Sequence, residues 1–276
     1  MNKSIEERKI VRFTQSNEMS VSDHLIIERP LEILIRYGKS NTRKSMPLIT
    51  TMRTPGNDVD LATGFLFSEG IIQSNQEIIQ HRWLDEDRML FDLSPEIFVD
   101  QKKWARSFLS HSSCGTCTKS RLDQIEQVIP FPLGPGPIIA AEDPLRWPDL
   151  LNQAQEQFQM TGGSHAMGLI LNNQLIATSE DVGRHNAMDK LIGQLIRNDF
   201  SDFLNAGLII SSRASYELVQ KALVAGIPIM VAVGAPTSLA VDLADSYGMT
   251  LIGFARSDHY NIYAGKHRLK CTIQIA

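Results

Sequence analysis

Residues 207–254 read GLIISSRASYELVQKALVAGIPIMVAVGAPTSLAVDLADSYGMTLIGF and alternate short apolar runs with longer segments of helical length. The predicted order is strand Gly207–Ser211, helix Ala214–Ala225, strand Ile227–Val233, helix Thr237–Tyr247 and strand Thr250–Phe254. Strands that alternate with helices of this length are typical of crossover units. The sequence therefore predicts an α/β fold with a largely parallel sheet between layers of helices.

Upstream of this unit lie a hairpin, a helix and a linker. Met167–Ala177 forms two apolar runs around Asn172-Asn173, a pair that tolerates the positive φ angles of a tight hairpin. A helix is predicted from about Asn186 to Arg197. Residues 130–137, PFPLGPGP, hold four prolines and two glycines, which excludes a helix or a central strand. We therefore predict a domain boundary there, with domains at 1–133 and 138–276.

The N-terminal half predicts a smaller α+β domain. After a polar lead-in, strands are expected at Leu31–Tyr37, Pro47–Met52, Glu77–Leu84 and Met89–Leu93. Asn57 or Asp58 can cap a helix that ends at Gly70. A short helix at 101–110 leads into a small polar loop that carries two cysteines.

Composition excludes several classes of protein. The chain has 276 residues, 43% hydrophobic and 21% charged, which is the profile of a soluble globular protein. Its formal net charge of −4 does not favour a nucleic-acid partner, because such binders neutralise phosphates with a basic face. Three cysteines cannot form a disulfide framework and indicate a reducing compartment.

No segment predicts secretion or membrane insertion. The N-terminal residues MNKSIEERKIVRF are mixed in charge and lack an apolar run, so we expect a cytoplasmic protein. The uncharged stretch Ala222–Val241 has the length of a membrane span, but glycines and prolines interrupt it. A helix end, a buried strand and a turn explain this stretch better.

Cys114-Gly-Thr-Cys117 is the sharpest local motif. With His111 and Lys119 nearby, one of its thiols can have a lowered pKa and act as a nucleophile or sulfur carrier. A zinc site lacks a second cysteine pair, and a dithiol redox pair would be expected after a strand in a thioredoxin-like unit. Zinc binding, dithiol redox chemistry and an accidental pair remain alternatives to the favoured sulfur chemistry. Cys271, in an alternating apolar tail, is expected to be a small buried hydrophobe.

Several polar turns are expected at one edge of the sheet. Open α/β folds bind ligands beyond the carboxyl ends of their strands, and helix N-termini favour anions. The residues concerned lie in the turns Thr161–Met167 with His165, Glu180–Asn186 with Arg184 and His185, Ser211–Ser215 with Arg213, Val233–Ser238 and Phe254–His259. Together they predict one extended pocket for a phosphorylated ligand. The alternatives are a helix C-cap with a satisfied histidine at Thr161–Met167 and a capped turn at Glu180–Asn186. A zinc-dependent nucleobase deaminase is not favoured, because no His-x-Glu is present and no proline precedes Cys114.

The combination of motifs resembles the formate dehydrogenase accessory sulfurtransferase family, FdhD. The matching segments are residues 65–72, FLFSEGII, residues 114–117, CGTC, residues 161–165, TGGSH, residues 180–185, EDVGRH, residues 211–216, SSRASY, and the Phe254 turn. They occur in order over roughly Leu31 to Tyr263. The resemblance implies a C-terminal three-layer domain similar to cytidine deaminase but without its zinc.

The resemblance also implies a function. Members take persulfide sulfur from a cysteine desulfurase and pass it to the molybdenum or tungsten bis-pyranopterin guanine dinucleotide cofactor, Mo-bis(molybdopterin guanine dinucleotide), of formate dehydrogenase. Cys114 would carry the persulfide and Cys117 would assist. By this resemblance the cofactor, bound as substrate, would contact Phe254, Ala255, Arg256, Ser257, Asp258 and His259. The polar turns and helix N-termini add the expected contacts His165, Arg184, His185, Ser211 and Arg213.

Two further expectations accompany this assignment. The turn Phe254–His259 departs from the family pattern at Ser257-Asp258-His259. The acidic Asp258 is unfavourable beside a phosphate group. A homodimer is the default assembly, and no structural metal is expected. A non-catalytic chaperone that only binds and delivers the cofactor is the alternative function.

Overall fold

The structure is a computed structural model that describes residues 4–39, 41–99, 129 and 132–270. Cys114, Cys117, Cys271 and the helix expected at 101–110 lie outside the described residues, so these predictions stay predictions.

A six-stranded mixed sheet forms the C-terminal half. Its spatial order is β13-β12-β11-β10-β8-β9. The strands are β8 (His165–Leu171), β9 (Gln174–Asp181), β10 (Gly207–Ile210), β11 (Ile229–Ala232), β12 (Thr250–Gly253) and β13 (Asn261–Ala264). The central strands β10, β11 and β12 are parallel, as predicted, whereas β8, β9 and β13 add antiparallel pairs at the two sides. Asn172 and Asn173 make the predicted hairpin turn with φ angles of 50° and 60°.

Helices cover both faces of this sheet. They are α2 (Asp143–Gln153), α3 (Glu156–Thr161), α4 (Arg184–Arg197), α5 (Tyr216–Val224) and α6 (Ser238–Ser246). Alternate strand residues such as Leu208 and Met230 pack under α4, α5 and α6, while Ile209 and Val231 face Trp147 of α2. Because successive side chains of a strand point to opposite faces, both layers are apolar. The predicted three-layer α/β architecture is confirmed, although helices α2 and α3 were not predicted.

The N-terminal half is built on a four-stranded sheet of order β4-β3-β6-β5. Its strands are β3 (Arg29–Tyr37), β4 (Lys44–Arg53), β5 (Ile78–Asp85) and β6 (Arg88–Leu93), and α1 (Asp58–Ser68) packs on one face. Leu31, Ile33 and Ile35 alternate with less buried residues along β3 and form the core under α1. The α+β character predicted for this half is confirmed, and the division into domains at 1–133 and 138–276 remains a prediction.

The polar lead-in to this half is a long hairpin rather than an irregular segment. Strands β1 (Ile5–Phe13) and β2 (Glu18–Ile26) pair in antiparallel register and form a sheet of two strands. The hairpin is fixed at its base, where Ser4 Oγ donates to Pro55 O at 2.8 Å and Ile26 lies against Gly163. Near the linker, the short strands β7 (Ile139–Ala140) and β14 (Leu269–Lys270) form a separate parallel pair.

The two halves meet where α1 crosses α4 at a pair of glycines. A Cβ on Gly64 would stand 1.9 Å from Asp189 O, and a Cβ on Gly193 would stand 1.8 Å from Asp60 O. The two backbones are therefore in direct contact, and only glycine fits at either position. Among the described residues, no helix has the length and apolar character to cross a membrane.

Candidate functional site

Three turns that follow parallel strands meet at the carboxyl edge of the six-stranded sheet. Backbone hydrogen bonds join them: Gly234 N–H donates to Ser212 O at 3.1 Å, and Phe254 N–H donates to Gly234 O at 3.1 Å. The approach is close, since a Cβ on Gly234 would stand 2.8 Å from Arg213 N. The structure thus brings together the turns after β10, β11 and β12, as the sequence predicted.

Phe254 is the exposed aromatic side chain of this edge. Its backbone has φ of 53°, a left-handed conformation that is rare for a bulky residue, and its side chain is 40% exposed. Such strain persists only where the surrounding structure fixes it, and Phe254 N and Ala255 N both donate to carbonyls of the neighbouring strand end, Gly234 O and Ala232 O. The geometry holds an aromatic ring at the edge where a flat ligand group could stack.

Arg256 stabilises the turn through its side chain. Its Nη1 donates to Val233 O at 2.8 Å and to Ala255 O at 2.7 Å, while its backbone N–H donates to His259 O at 2.8 Å. The guanidinium therefore ties the turn after β12 to the end of β11. Arg256 still carries its positive charge at the exposed edge.

The unfavourable charge expected from Asp258 is partnered within the turn. His259 Nδ1 lies 2.7 Å from Asp258 Oδ1, and this hydrogen bond lowers the pKa of the Asp258 carboxyl. Ser257, Asp258 and His259 are all exposed. The Asp258 carboxylate is therefore hydrogen-bonded to His259 within the turn and does not lie unpartnered beside the edge.

Helix α4 directs its N-terminus at the same edge. Arg184 is its first residue, and the positive end of the helix dipole lies there. His185 Nε2 lies 3.0 Å from Glu217 Oε2 and 3.5 Å from Ser215 Oγ, which connects this helix start to the start of α5. Two helix N-termini therefore lie side by side.

His165 begins β8 opposite the end of β9. Burial lowers its pKa, and the nearby Arg184 cation lowers it further. The neutral form of His165 is therefore favoured, and the Arg184 guanidinium lies close enough to contribute to this shift. The predicted residues His165, Arg184 and His185 are thus brought together beside the turns.

Ser211 has a structural contact that the sequence did not reveal. Its Oγ accepts a hydrogen bond from Ala166 N–H at 2.9 Å, which fixes β8 against the end of β10. Arg213, two residues later, is exposed at the edge. Of the two, Arg213 is the better placed to contact a ligand.

The acidic pair of the EDVGRH motif is structural. Glu180 accepts hydrogen bonds from the first turn of α3, from Gln157 N–H and Phe158 N–H at 2.9 Å each, and from Ser164 Oγ at 2.7 Å. These contacts hold α3 and Ser164 against the end of β9, and the binding role predicted for the turn Glu180–Asn186 stays a prediction. In the TGGSH motif, Gly162 also has a structural role, because it ends α3 with a φ of 67°.

Asp181 anchors the turn that carries Arg184 to the N-terminal half. The carboxylate is fully buried and pairs with Lys190 Nζ at 2.7 Å. It also accepts from Thr54 N–H at 3.0 Å and Gly183 N–H at 2.8 Å, and Lys190 donates to Thr54 O at 2.8 Å. This network positions the start of α4 relative to β4. Nothing in the sequence signals this network, because aspartate and lysine side chains are ordinarily solvated.

Comparison with known proteins places the chain in a family. The sequence profile of the FdhD/NarQ family matches residues 26–270, which include the four-stranded sheet, the six-stranded sheet and the edge described above. The chain belongs to the FdhD/NarQ family. It is 43% identical over 270 residues to the sulfur carrier protein FdhD of Nocardia farcinica, with 95% of this chain and 94% of that protein covered. The sulfur carrier protein FdhD of Sulfolobus acidocaldarius is 36% identical over 266 residues, with 96% of this chain and 98% of that protein covered.

A solved structure shares the fold. It is that of a protein described as a formate dehydrogenase accessory protein of Desulfotalea psychrophila, with a TM-score of 0.74 and 21% identity. The match covers 97% of this chain and 100% of the other. In the part of the chain that the structure describes, no group of three or more His, Cys, Asp or Glu residues is placed to hold a metal ion.

Proposed function

We propose that this chain is a sulfur carrier for formate dehydrogenase maturation, a sulfurtransferase that accepts persulfide sulfur from a cysteine desulfurase on Cys114. It then delivers this sulfur to the molybdenum or tungsten bis-pyranopterin guanine dinucleotide cofactor. The single observation that carries the cofactor part is the carboxyl edge, where three turns and two helix N-termini converge. Membership of the FdhD/NarQ family supports the sulfur part.

The edge supplies what a guanine dinucleotide requires. Backbone N–H groups at the starts of α4 and α5 can donate hydrogen bonds to phosphate oxygens, and Arg184 and Arg213 supply positive charge there. Phe254 offers an aromatic face for the base. The cofactor is cargo in this proposal, and the chain binds and orients it as a substrate.

The sulfur step depends on the thiol chemistry of the Cys-x-x-Cys motif. The Cys114 thiolate attacks the outer sulfur of the donor persulfide, a new S–S bond forms at Cys114, and the donor cysteine leaves as a thiolate. Exchange of this kind is fastest when the pKa of the attacking thiol lies near the ambient pH. Cys117, three residues away, is proposed to assist or resolve the persulfide.

Mass spectrometry after incubation with a cysteine desulfurase and cysteine tests the proposal. The wild type should gain sulfur on the peptide that contains Cys114, and Cys114→Ala should lose both this gain and formate dehydrogenase activation. The Cys114→Ala variant should still bind guanine nucleotide, which shows that the protein is folded. Full activation by Cys114→Ala would overturn the proposal and support the alternative, a chaperone that binds and delivers the cofactor without carrying sulfur.

A further inference from the structure

The four-stranded sheet has a second face, on the side away from α1. Alternate residues of β3 such as Ile33 and Ile35 belong to the core under α1. Successive side chains of a strand point to opposite faces, so Leu34 and Arg36 point away from α1. Pairing of β3 with β6 places Asp92 beside Arg36 on this second face.

Two arginines converge on the Asp92 carboxylate. Arg36 Nε donates to Asp92 Oδ1 at 2.9 Å, and Arg43 Nη2 lies 2.7 Å from the same oxygen atom. The hydrogen bond from Arg36 lowers the pKa of the Asp92 carboxyl, although this carboxyl is buried. Two positive charges against one negative charge leave an excess of positive charge that is held in a fixed position.

Further cations lie around this pair of arginines. Lys39 and Lys44 are exposed at the turn between β3 and β4. Arg82 of β5 is two residues from Gln80, which donates to Asp92 Oδ2 at 3.0 Å, so both point to the second face. At the other end of the sheet, the turn Asp85–Asp87 is acidic. We call the positively charged end, which consists of Arg36, Lys39, Arg43, Lys44 and Arg82, the basic end of the sheet.

The segment that carries Cys114 starts from the basic end. Strand β6 ends at Leu93, whose carbonyl accepts a hydrogen bond from Arg43 Nη2. The described part of the chain then stops at Val99, which is buried in the core of this half. Phe98, directly before it, is 90% exposed. Exposed aromatic rings and arginines are the side chains that contribute most at protein interfaces.

The sequence around Cys114 has the same sign of charge as the basic end. Residues 101–121 contain five Lys or Arg residues and no Asp or Glu, in a chain whose net charge is −4. Like charges repel, so this segment has no electrostatic complementarity to the basic end. A partner that approaches Cys114 past the basic end meets positive charge from both, which favours an acidic surface on that partner.

We propose that the basic end, together with Phe98, is the docking surface for the cysteine desulfurase that donates the persulfide, and that it recognises an acidic patch on this donor. The inference rests on the proposed sulfur-carrier function. Attraction between the two surfaces speeds their encounter and holds the donor at the start of the segment that carries Cys114. The carboxyl edge proposed for the cofactor belongs to the six-stranded sheet, so donor and cofactor are assigned to different surfaces.

Biolayer interferometry with an immobilised cysteine desulfurase measures this docking apart from sulfur transfer. The wild type and Cys114→Ala should bind alike. Their affinity should fall about tenfold or more between about 50 and 500 mM NaCl, because salt screens exposed charges.

Charge reversal at the margin of the basic end tests the surface itself. The double variant Lys39→Glu, Arg82→Glu should bind about tenfold or more weakly at the lower salt concentration and show a flatter salt dependence. Both residues are exposed, and the substitutions leave the partners of Asp92 in place. Phe98→Ala should also weaken binding, by about tenfold. Arg146→Glu is the matched control, because it reverses the charge of an exposed arginine on α2 and should bind like the wild type.

Several outcomes would overturn the docking surface. They are a wild type that does not bind the donor, a wild-type affinity that is independent of salt, and a double variant that binds the donor like the wild type. If this double variant instead loses affinity for apo formate dehydrogenase, the basic end serves the acceptor. The sulfur-carrier function is judged separately, by mass spectrometry at Cys114. Donor binding that the double variant loses, with no sulfur gained on wild-type Cys114, would support the docking surface and overturn the function.

Discussion

Replacing Gly193 by alanine should destabilise the protein, although alanine is the better helix former. A Cβ at this position would stand 1.8 Å from Asp60 O, whereas real Cβ contacts are essentially never closer than 3.0 Å. Helices α1 and α4 must therefore separate by at least about 1.2 Å, the difference between these two distances. The obstructing atoms are backbone atoms, so no side-chain rotation can relieve the clash.

The magnitude follows from two opposing effects. Alanine gains about 1 kcal/mol over glycine in helix propensity. Overpacking of a close contact costs about 1–3 kcal/mol and sometimes more, and a gap near 1 Å removes a quarter to a half of the dispersion attraction of the surrounding atoms. Because the obstructing atoms belong to the backbone, we expect the upper end of this cost, about 3 kcal/mol, which leaves a net loss of about 2 kcal/mol in the free energy of unfolding.

Urea unfolding at constant temperature measures this loss, and the melting temperature should fall by about 4–6 °C. Gly134→Ala is the matched control, since no atom lies within 4 Å of the position of its Cβ. Gly64→Ala should behave like Gly193→Ala, and the double variant should lose less than the sum, because one separation relieves both clashes. A Gly193→Ala protein as stable as Gly134→Ala would refute the close crossing.

Three further predictions concern buried and partly buried charges. Lys190→Met leaves the buried Asp181 without its cation and should lower the free energy of unfolding by about 3–5 kcal/mol. Arg88→Met, at the exposed pair with Asp85, is the control and should cost less than about 1 kcal/mol. Urea titrations measure both variants. Burial raises the pKa of Asp189 to about 6 despite its pair with Lys221, so its contribution to stability is present below its ordinary pKa and is lost as the pH rises through about 6. Asp189→Asn should therefore flatten the fall in stability of the wild type between about pH 4 and pH 7, measured by urea unfolding at each pH. An anion bound beside Arg184 should raise the pKa of His165 in an NMR titration, because the anion offsets the Arg184 cation that lowers this pKa. A His165 pKa that is the same with and without the anion would place the anion elsewhere.

Local sequence patterns predicted the central part of the fold. The parallel strands, their helices and the Asn172-Asn173 turn were predictable because each has a distinct apolar period or a distinct backbone conformation. The turns at the carboxyl edge followed from the same order, since parallel strands end on one side of a sheet. Element boundaries differed by a residue or two, as between Ala214–Ala225 and the observed α5.

Features that depend on distant partners were not predictable. Strands β1 and β2 have mixed polar composition and lack a buried face, so they offered no strand period. Nothing local to Glu180 and Asp181 shows that α3 and Thr54, the residue after β4, supply their hydrogen-bond donors. The Gly64–Gly193 contact likewise joins residues that are far apart in sequence.

Calorimetric titration with guanosine diphosphate tests most directly the claim that the carboxyl edge holds the guanine dinucleotide. The wild type should bind this nucleotide more tightly than adenosine diphosphate. Phe254→Ala should weaken binding by about 1–3 kcal/mol, the usual contribution of a stacked aromatic ring. Phe13→Ala, which removes an exposed ring from the hairpin, should bind like the wild type. Failure of the wild type to bind, or equal affinity in Phe254→Ala, would contradict the assignment of this edge.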